Sequence, residues 1–237
     1  MVAYSMTQNT QSGLSQPTIE YILDQGQTKL AILPADSGPV FIDFNAGKKA
    51  HRRQFGGGKG QPLARAIGLH TQYIPSVIDA TAGMGSDSFV FASLGCEVLM
   101  IEKSEPVAQI LADGLARGLQ DPEIQDILNR ITLVNADATE YLLQEKPSVD
   151  VIYLDPMYPE KKKSAAPKKE MKLLQTLVGP DLDSQNLLAA ARQIAKYRVV
   201  VKRPKGAPYI GGQKPQAEIS SPNTRYDLYI NRALPSL

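Results

Sequence analysis

A single cysteine, Cys96, excludes a disulfide framework within the chain and suits a reducing compartment. Histidine is nearly as scarce, with only His51 and His70. No metal-ligand cluster is visible, and neither ring has the neighbours of a Ser-His-Asp set. No apolar run approaches the ~20 residues of a membrane span, and the first residues lack the basic-then-apolar pattern of a secretory signal. Charge of one sign is lacking too: 26 Lys and Arg face 24 Asp and Glu, a formal net of +2. A surface for a polyanion must therefore come from local clusters. Internal repeats and long low-complexity segments are absent. These absences lead to the expectation of a cytoplasmic, soluble protein with no metal and no membrane attachment.

With 43% hydrophobic and 21% charged residues, the 237-residue chain has an ordinary globular composition and can bury one good-sized core. Residues 1–17 are rich in Ser, Thr, Gln and Asn and are expected to fray. The 29–33 and 40–44 stretches read as short strands separated by the Pro34-Ala35-Asp36-Ser37-Gly38-Pro39 turn cluster. They suggest a small β-rich amino-terminal extension over 1–58, ending at the glycine-rich joint 56–60, with a main domain over 59–237. In that main part, strands at 77–79, 98–102, 131–134, 149–154 and 199–201 alternate with helical stretches at 86–94, from Ser104 onward, and around 187–195. The 225–230 stretch alternates like a final strand. Such alternation predicts an α/β fold, a Rossmann-like sheet covered by helices on both faces, with ligands beyond the carboxyl ends of the strands.

The informative residues fall at those ends. Asp79-Ala80-Thr81-Ala82-Gly83-Met84-Gly85-Ser86-Asp87 joins the first strand of the main domain to its helix. Gly83 and Gly85 permit a tight turn and close approach of backbone to ligand, although a plain strand–helix turn has the same look. Glu102 ends the next strand, about 20 residues on, where an acid can accept from ribose hydroxyls. Nicotinamide and S-adenosylmethionine enzymes share this geometry. Ser88 stands where a dinucleotide loop has its third glycine, and Asp79 and Asp87 suit a cationic ligand better than a pyrophosphate. S-adenosylmethionine, with its ammonium and sulfonium, fits. Asp137 follows the 131–134 strand and has two open readings, acceptor for an adenine amine or cap of the next helix.

Asp155-Pro156-Met157-Tyr158-Pro159 follows the apolar run 149–154. An exocyclic amine on a purine is a poor nucleophile because its lone pair is delocalised into the ring. The Asp155 carboxylate and the Pro156 carbonyl can accept its two N–H bonds and favour the pyramidal, attacking amine. Tyr158 can stack on the base. A strand ending in a proline-bounded turn is the plainer alternative. The glycine loop and Glu102, in the right order, favour methyl transfer. Lys161, Lys162, Lys163, Lys168, Lys169 and Lys172 come next, and Lys202, Arg203 and Lys205 follow a later strand. Both clusters are expected to flank the cleft mouth and meet phosphates, where a charge run is otherwise a solvated face. Arg52 and Arg53, before the glycine run, read as a phosphate clamp, a cover for the cofactor or an exposed basic loop. His70 and Cys96 read as structural.

Taken together these stretches resemble the bacterial 16S ribosomal RNA guanine-N2-methyltransferase family of the RsmJ type. The likeness is carried by His51-Arg52-Arg53-Gln54-Phe55-Gly56-Gly57-Gly58, residues 79–85, Ala92-Ser93-Leu94-Gly95-Cys96, residues 155–159, Lys163-Ser164-Ala165, Lys168-Lys169-Glu170-Met171, Leu177-Val178-Gly179 and Val199-Val200-Val201-Lys202-Arg203-Pro204. The resemblance implies a class I S-adenosylmethionine-dependent methyltransferase acting on a guanine 2-amino group of 16S rRNA or the small ribosomal subunit. By resemblance the target is guanosine 1516 in the usual bacterial rRNA numbering. It further implies cofactor contacts at Ser86, Asp87, Glu102, Lys103, Asp137, Ala138 and Asp155. Ser86, Lys103 and Tyr158 depart from the family's usual Arg, Arg and Phe. The motifs alone do not separate guanine N2 from adenine N6. An amine or amide methyltransferase with another substrate, a nicotinamide oxidoreductase and a non-catalytic RNA-binding protein remain as competing readings.

Overall fold

The computed structural model describes residues 17–34, 38–45, 58–157 and 183–235. Two strands, β1 (Thr18–Asp24) and β2 (Gln27–Leu33), form an antiparallel hairpin through the Gln25-Gly26 turn. After the short helix α1 (Pro62–Ala66) the alternation begins: β3 (Val77–Asp79), α2 (Ser86–Ser93), β4 (Val98–Glu102), α3 (Glu105–Gly118), α4 (Gln125–Leu128), β5 (Ile131–Asn135), α5 (Ala138–Glu145) and β6 (Val151–Leu154). Then come α6 (Ser184–Ile194), β7 (Arg198–Pro204), β8 (Ala217–Ser220) and β9 (Thr224–Ile230).

The main sheet has the order β5-β4-β3-β6-β7-β9-β8. Strands β3 to β7 pair in parallel, and β9 runs antiparallel between β7 and β8. The central strands are apolar at nearly every position because both faces are covered. Period two sorts them. Val77, Val151, Tyr153 and Val200 join the core built with Phe89 and Phe91 of α2 and Val107, Ile110 and Leu111 of α3. Ile78, Ile152, Leu154, Val199 and Val201 join the opposite core with Leu142 of α5 and Leu187, Leu188 and Ala191 of α6. The expected α/β architecture is the observed one.

The amino-terminal part departs in detail from expectation. β1 was not anticipated, and the 40–44 stretch is not a strand. Val40 makes one isolated bridge with Ile32, after which Ile42 and Phe44 pack inward as an extended segment. These residues share the core that contains α2 and α3. The Leu30 amide donates to Asp113 Oδ2 at 3.2 Å, and the Arg117 guanidinium donates to the Ile42 carbonyl, which ties the hairpin and the extended segment after it to α3.

Candidate active site

Chain order along the sheet reverses between β3 and β6, the position where α/β sheets open a crevice beyond their carboxyl ends. The loop after β3 and the Asp155-Pro156 turn after β6 face each other there. The Asp155 amide donates to Thr81 Oγ1 at 2.6 Å, so the glycine loop and the acid-proline motif are fastened directly.

Within the loop, Gly83 and Gly85 have φ of 52° and 67°, the left-handed region open to glycine. Gly85 has a second reason: a Cβ there would stand 3.0 Å from Leu111 and 3.3 Å from Phe44. The Gly83 amide donates to Glu102 Oε2 at 2.8 Å, and the Ser104 amide donates to Glu102 Oε1 at 2.7 Å. Glu102 therefore holds the loop and the start of α3 in place. Burial pushes its carboxyl above the usual range, against the pull of these amides. The Lys103 amide is a third donor to it, and the carboxylate's remaining lone-pair site is the one with which a ribose hydroxyl can be met.

Asp79 is turned into the protein. Its carboxylate accepts from the Thr81 amide at 3.2 Å and from Ser88 Oγ at 2.5 Å, and only 2% of the residue is exposed. Burial, with the neighbouring Asp87 and Asp155 charges, pushes it up to about 7, while Ser88 and the Thr81 amide pull the other way. Ser86 is exposed at the start of α2. Asp87 lies in the first turn of that helix, where the dipole favours a negative charge. Its Oδ2 accepts from Tyr153 Oη and from Lys202 Nζ, both at 2.7 Å.

Asp137 is the cap of α5: Oδ1 accepts from the Thr139 and Glu140 amides at 2.9 and 3.1 Å. Its Oδ2 pairs with Lys103 Nζ at 2.8 Å. Burial raises the Asp137 carboxyl, but Lys103 and the cap amides outweigh it and bring it below the ordinary value. Ala138 opens the helix with its side chain buried in the second core, so its backbone amide is the group it can offer. Of the two sequence readings of Asp137, the cap is the observed one; an adenine contact is compatible with it.

Asp155 is the meeting point. Its Oδ2 accepts from Lys202 Nζ at 2.7 Å, and 40% of its side chain stays accessible. Burial and Asp87 push its carboxyl up, while Lys202 and Arg203 pull it down. Pro156 is buried beside it. Tyr158, Arg52, Arg53, Lys161, Lys162, Lys163, Lys168 and Lys169 lie outside the described residues.

Two of the expected phosphate contacts are placed otherwise. Lys202 points inward between Asp87 and Asp155, and Arg203 is 6% exposed with Nη2 donating to the Pro208 carbonyl at 2.9 Å. A lysine clamped by two carboxylates, and a buried arginine bonded to a carbonyl, are poorly placed to meet a phosphate. Lys205 is exposed in the following turn. Sequence reasoning gave Thr81, Ser88 and Tyr153 no role in the site and set Lys202 on the RNA surface, not between the two acids. Only Lys202 carried a signal, a cation at the end of an apolar strand, and its use depends on which strands are neighbours.

Comparison with known proteins fits this geometry. The family model SAM_MT, for SAM-dependent methyltransferases, matches residues 7–231. The chain is similar to the ribosomal RNA small subunit methyltransferase J of Hydrogenovibrio crunogenus, with 62% identity over 87% of this chain and 75% of that one. The protein of the same name in Aeromonas salmonicida is 52% identical over 83% of this chain and 80% of its own length. Among solved structures, a SAM-dependent methyltransferase from Neisseria gonorrhoeae has a TM-score of 0.70 at 37% identity, covering 87% of this chain and 81% of that one. The chain thus belongs to the ribosomal RNA small subunit methyltransferase J family of S-adenosylmethionine-dependent methyltransferases.

Proposed function

We propose that this protein methylates the exocyclic N2 amine of a guanosine in 16S ribosomal RNA, with S-adenosylmethionine as donor. The observation that supports it most is the fastening of Asp155 to the glycine loop through Thr81, which sets an amine acceptor beside a loop built for close ligand approach. Family membership supplies the substrate class and sets the nicotinamide reading aside.

The donor set suits a cationic cofactor. Asp87 and Asp155 flank the crevice, and Glu102 stands at the next strand end with acceptor capacity left for ribose hydroxyls. Ser86, Lys103, Asp137 and the Ala138 amide complete the group that would hold it, while Asp79, Gly83 and Gly85 shape the loop. When bound, S-adenosylmethionine supplies an electrophilic methyl group on a sulfonium.

The chain's own residues orient the acceptor. The accessible part of the Asp155 carboxylate and the Pro156 carbonyl each take one N–H of the guanine amine, which localises its lone pair for attack. Asp155 is also the nearest base for the proton that the amine must release after attack. Tyr158 stacks on the base, and the lysines of 161–169, with Arg52 and Arg53, meet the RNA backbone.

The test is to incubate the protein with labelled donor and small subunits lacking the modification, then identify the labelled nucleoside by mass spectrometry. N2-methylguanosine at one site is expected. Label confined to protein, or N6-methyladenosine, would overturn the assignment.

A further inference from the structure

Three neighbouring strands send charged residues to the same side of the sheet. Val77, Tyr153 and Val200 belong to the core under α2 and α3, so Asp79, Asp155 and Lys202, each two residues further on, share that side. The pairing of Leu154 with Val201 brings Lys202 alongside Asp155 at the next step of the ladder. α2 starts over this patch and adds Asp87. Lys202 Nζ reaches Asp87 Oδ2 and Asp155 Oδ2 at 2.7 Å each, and Tyr153 Oη holds Asp87 from below at 2.7 Å.

We propose that Lys202 is a positioning residue for methyl transfer: its ammonium fixes the Asp155 carboxylate in the ionised, accepting form and aims it at the substrate amine. This rests on Asp155 being the amine acceptor.

The charge balance around Asp155 carries the argument. Asp87 on α2 is a like charge, and Asp79 on β3 becomes one as pH rises through about 7. Tyr153 on β6 is neutral with Tyr226 on β9 near it, and Arg203 on β7, bonded to the Pro208 carbonyl, adds a positive charge that ranks behind that of Lys202. Lys202 is the one lysine that bonds these acids among the described residues. Without it, crowded carboxylates in a partly dry crevice share protons. A protonated Asp155 donates through one oxygen and no longer presents a full carboxylate to an N–H. Lys202 itself stays charged: burial works against the ammonium, yet the two acids more than restore it. Lys202 engages Oδ2, which assigns Oδ1 to the amine in this proposal.

Lys202→Met removes the charge at similar length, and Lys202→Arg keeps it. Carbon-13 NMR of the Asp155 carboxyl in the full chain without RNA should show its titration midpoint raised by about one pH unit or more in Lys202→Met, and near wild type in Lys202→Arg. On small subunits, kcat should fall about 10- to 100-fold in Lys202→Met, with the acid limb of the pH profile moved upward and KM for subunits unchanged. An unmoved carboxyl midpoint would overturn the proposal. So would a raised KM with a weaker salt dependence and an unmoved pH profile, the signature of a phosphate contact. Should Lys202→Met not fold, the Lys202 ammonium nitrogen resonance must shift on Asp155→Asn, and an unmoved resonance overturns the idea. A wild-type protein that leaves small subunits unmodified would sink the rRNA reading alone, because the carboxyl measurement needs no RNA.

Discussion

Asp155 and Asp79 are both acids at strand ends, yet their surroundings set them to different work. Asp155 keeps an accessible face and a lysine partner, so Asp155→Ala should lower turnover by about 10²–10⁴-fold through loss of the amine acceptor. The fold should survive, since Lys202 keeps Asp87; near-wild-type melting with retained activity would count against the mechanism. Asp79 is sealed in and pushed up to about 7 from an ordinary value of 3.8. The folded state therefore holds a proton that the unfolded state has released between about pH 4 and pH 7. The resulting stability is full below about pH 4 and is lost as pH rises through about 7. Asp79→Asn cannot ionise and can still accept from the Thr81 amide. Across that window its stability relative to wild type should improve with rising pH, on the order of a few kcal/mol at about 1.4 kcal/mol per unit. Urea unfolding at pH 4.5 and pH 7.5 measures this, and a pH-independent difference would show that Asp79 is ionised throughout.

At the scale of elements, what was legible depended on how much of the pattern is local. The central strands and α2, α3 and α6 stand out because burial on both sheet faces, or along one helix face, writes a period into the residues themselves. β1 does not, since Tyr21 and Leu23 are 71% and 77% exposed and its apolar alternation marks no buried face. The 40–44 stretch misleads for the opposite reason. Val40, Ile42 and Phe44 alternate inward, but an extended segment laid over a helix shows the same period as a strand; a ladder needs a partner beyond Ile32. The contact that seats this segment is Gly114 of α3, where a Cβ would lie 2.9 Å from Ile42 Cγ2 and 3.0 Å from its carbonyl oxygen. Gly114→Ala gains helix propensity, yet must displace backbone, so a net loss of about 1–3 kcal/mol is expected. A raised melting temperature would mean that the segment can shift without cost.

The whole molecule brings the site together through strand order, which no local pattern records. Asp79, Glu102, Asp155 and Lys202 are spread over more than half the chain and converge only because β4, β3, β6 and β7 are consecutive neighbours. This is why Glu102 and Asp155 were readable from motifs, whereas Lys202 looked like part of a basic surface. With Lys202 and Arg203 turned inward, the proposed phosphate contacts rest on charges elsewhere in the sequence, the 161–163 lysines first among them. Each phosphate neutralised releases counterions, so removing three contacts from single-stranded RNA should reduce the slope of log binding constant against log salt by about 2. The triple change of Lys161, Lys162 and Lys163 to Gln should therefore weaken binding most at low salt and flatten its salt dependence, while the Asp155 titration stays as in wild type. Lys202→Met should do the reverse, moving the titration and sparing the slope. Fluorescence titrations of both variants with an rRNA fragment, over a series of salt concentrations, compare the two directly. An unchanged slope in the triple variant would remove these lysines from the RNA surface, and a flattened one in Lys202→Met would return Lys202 to it.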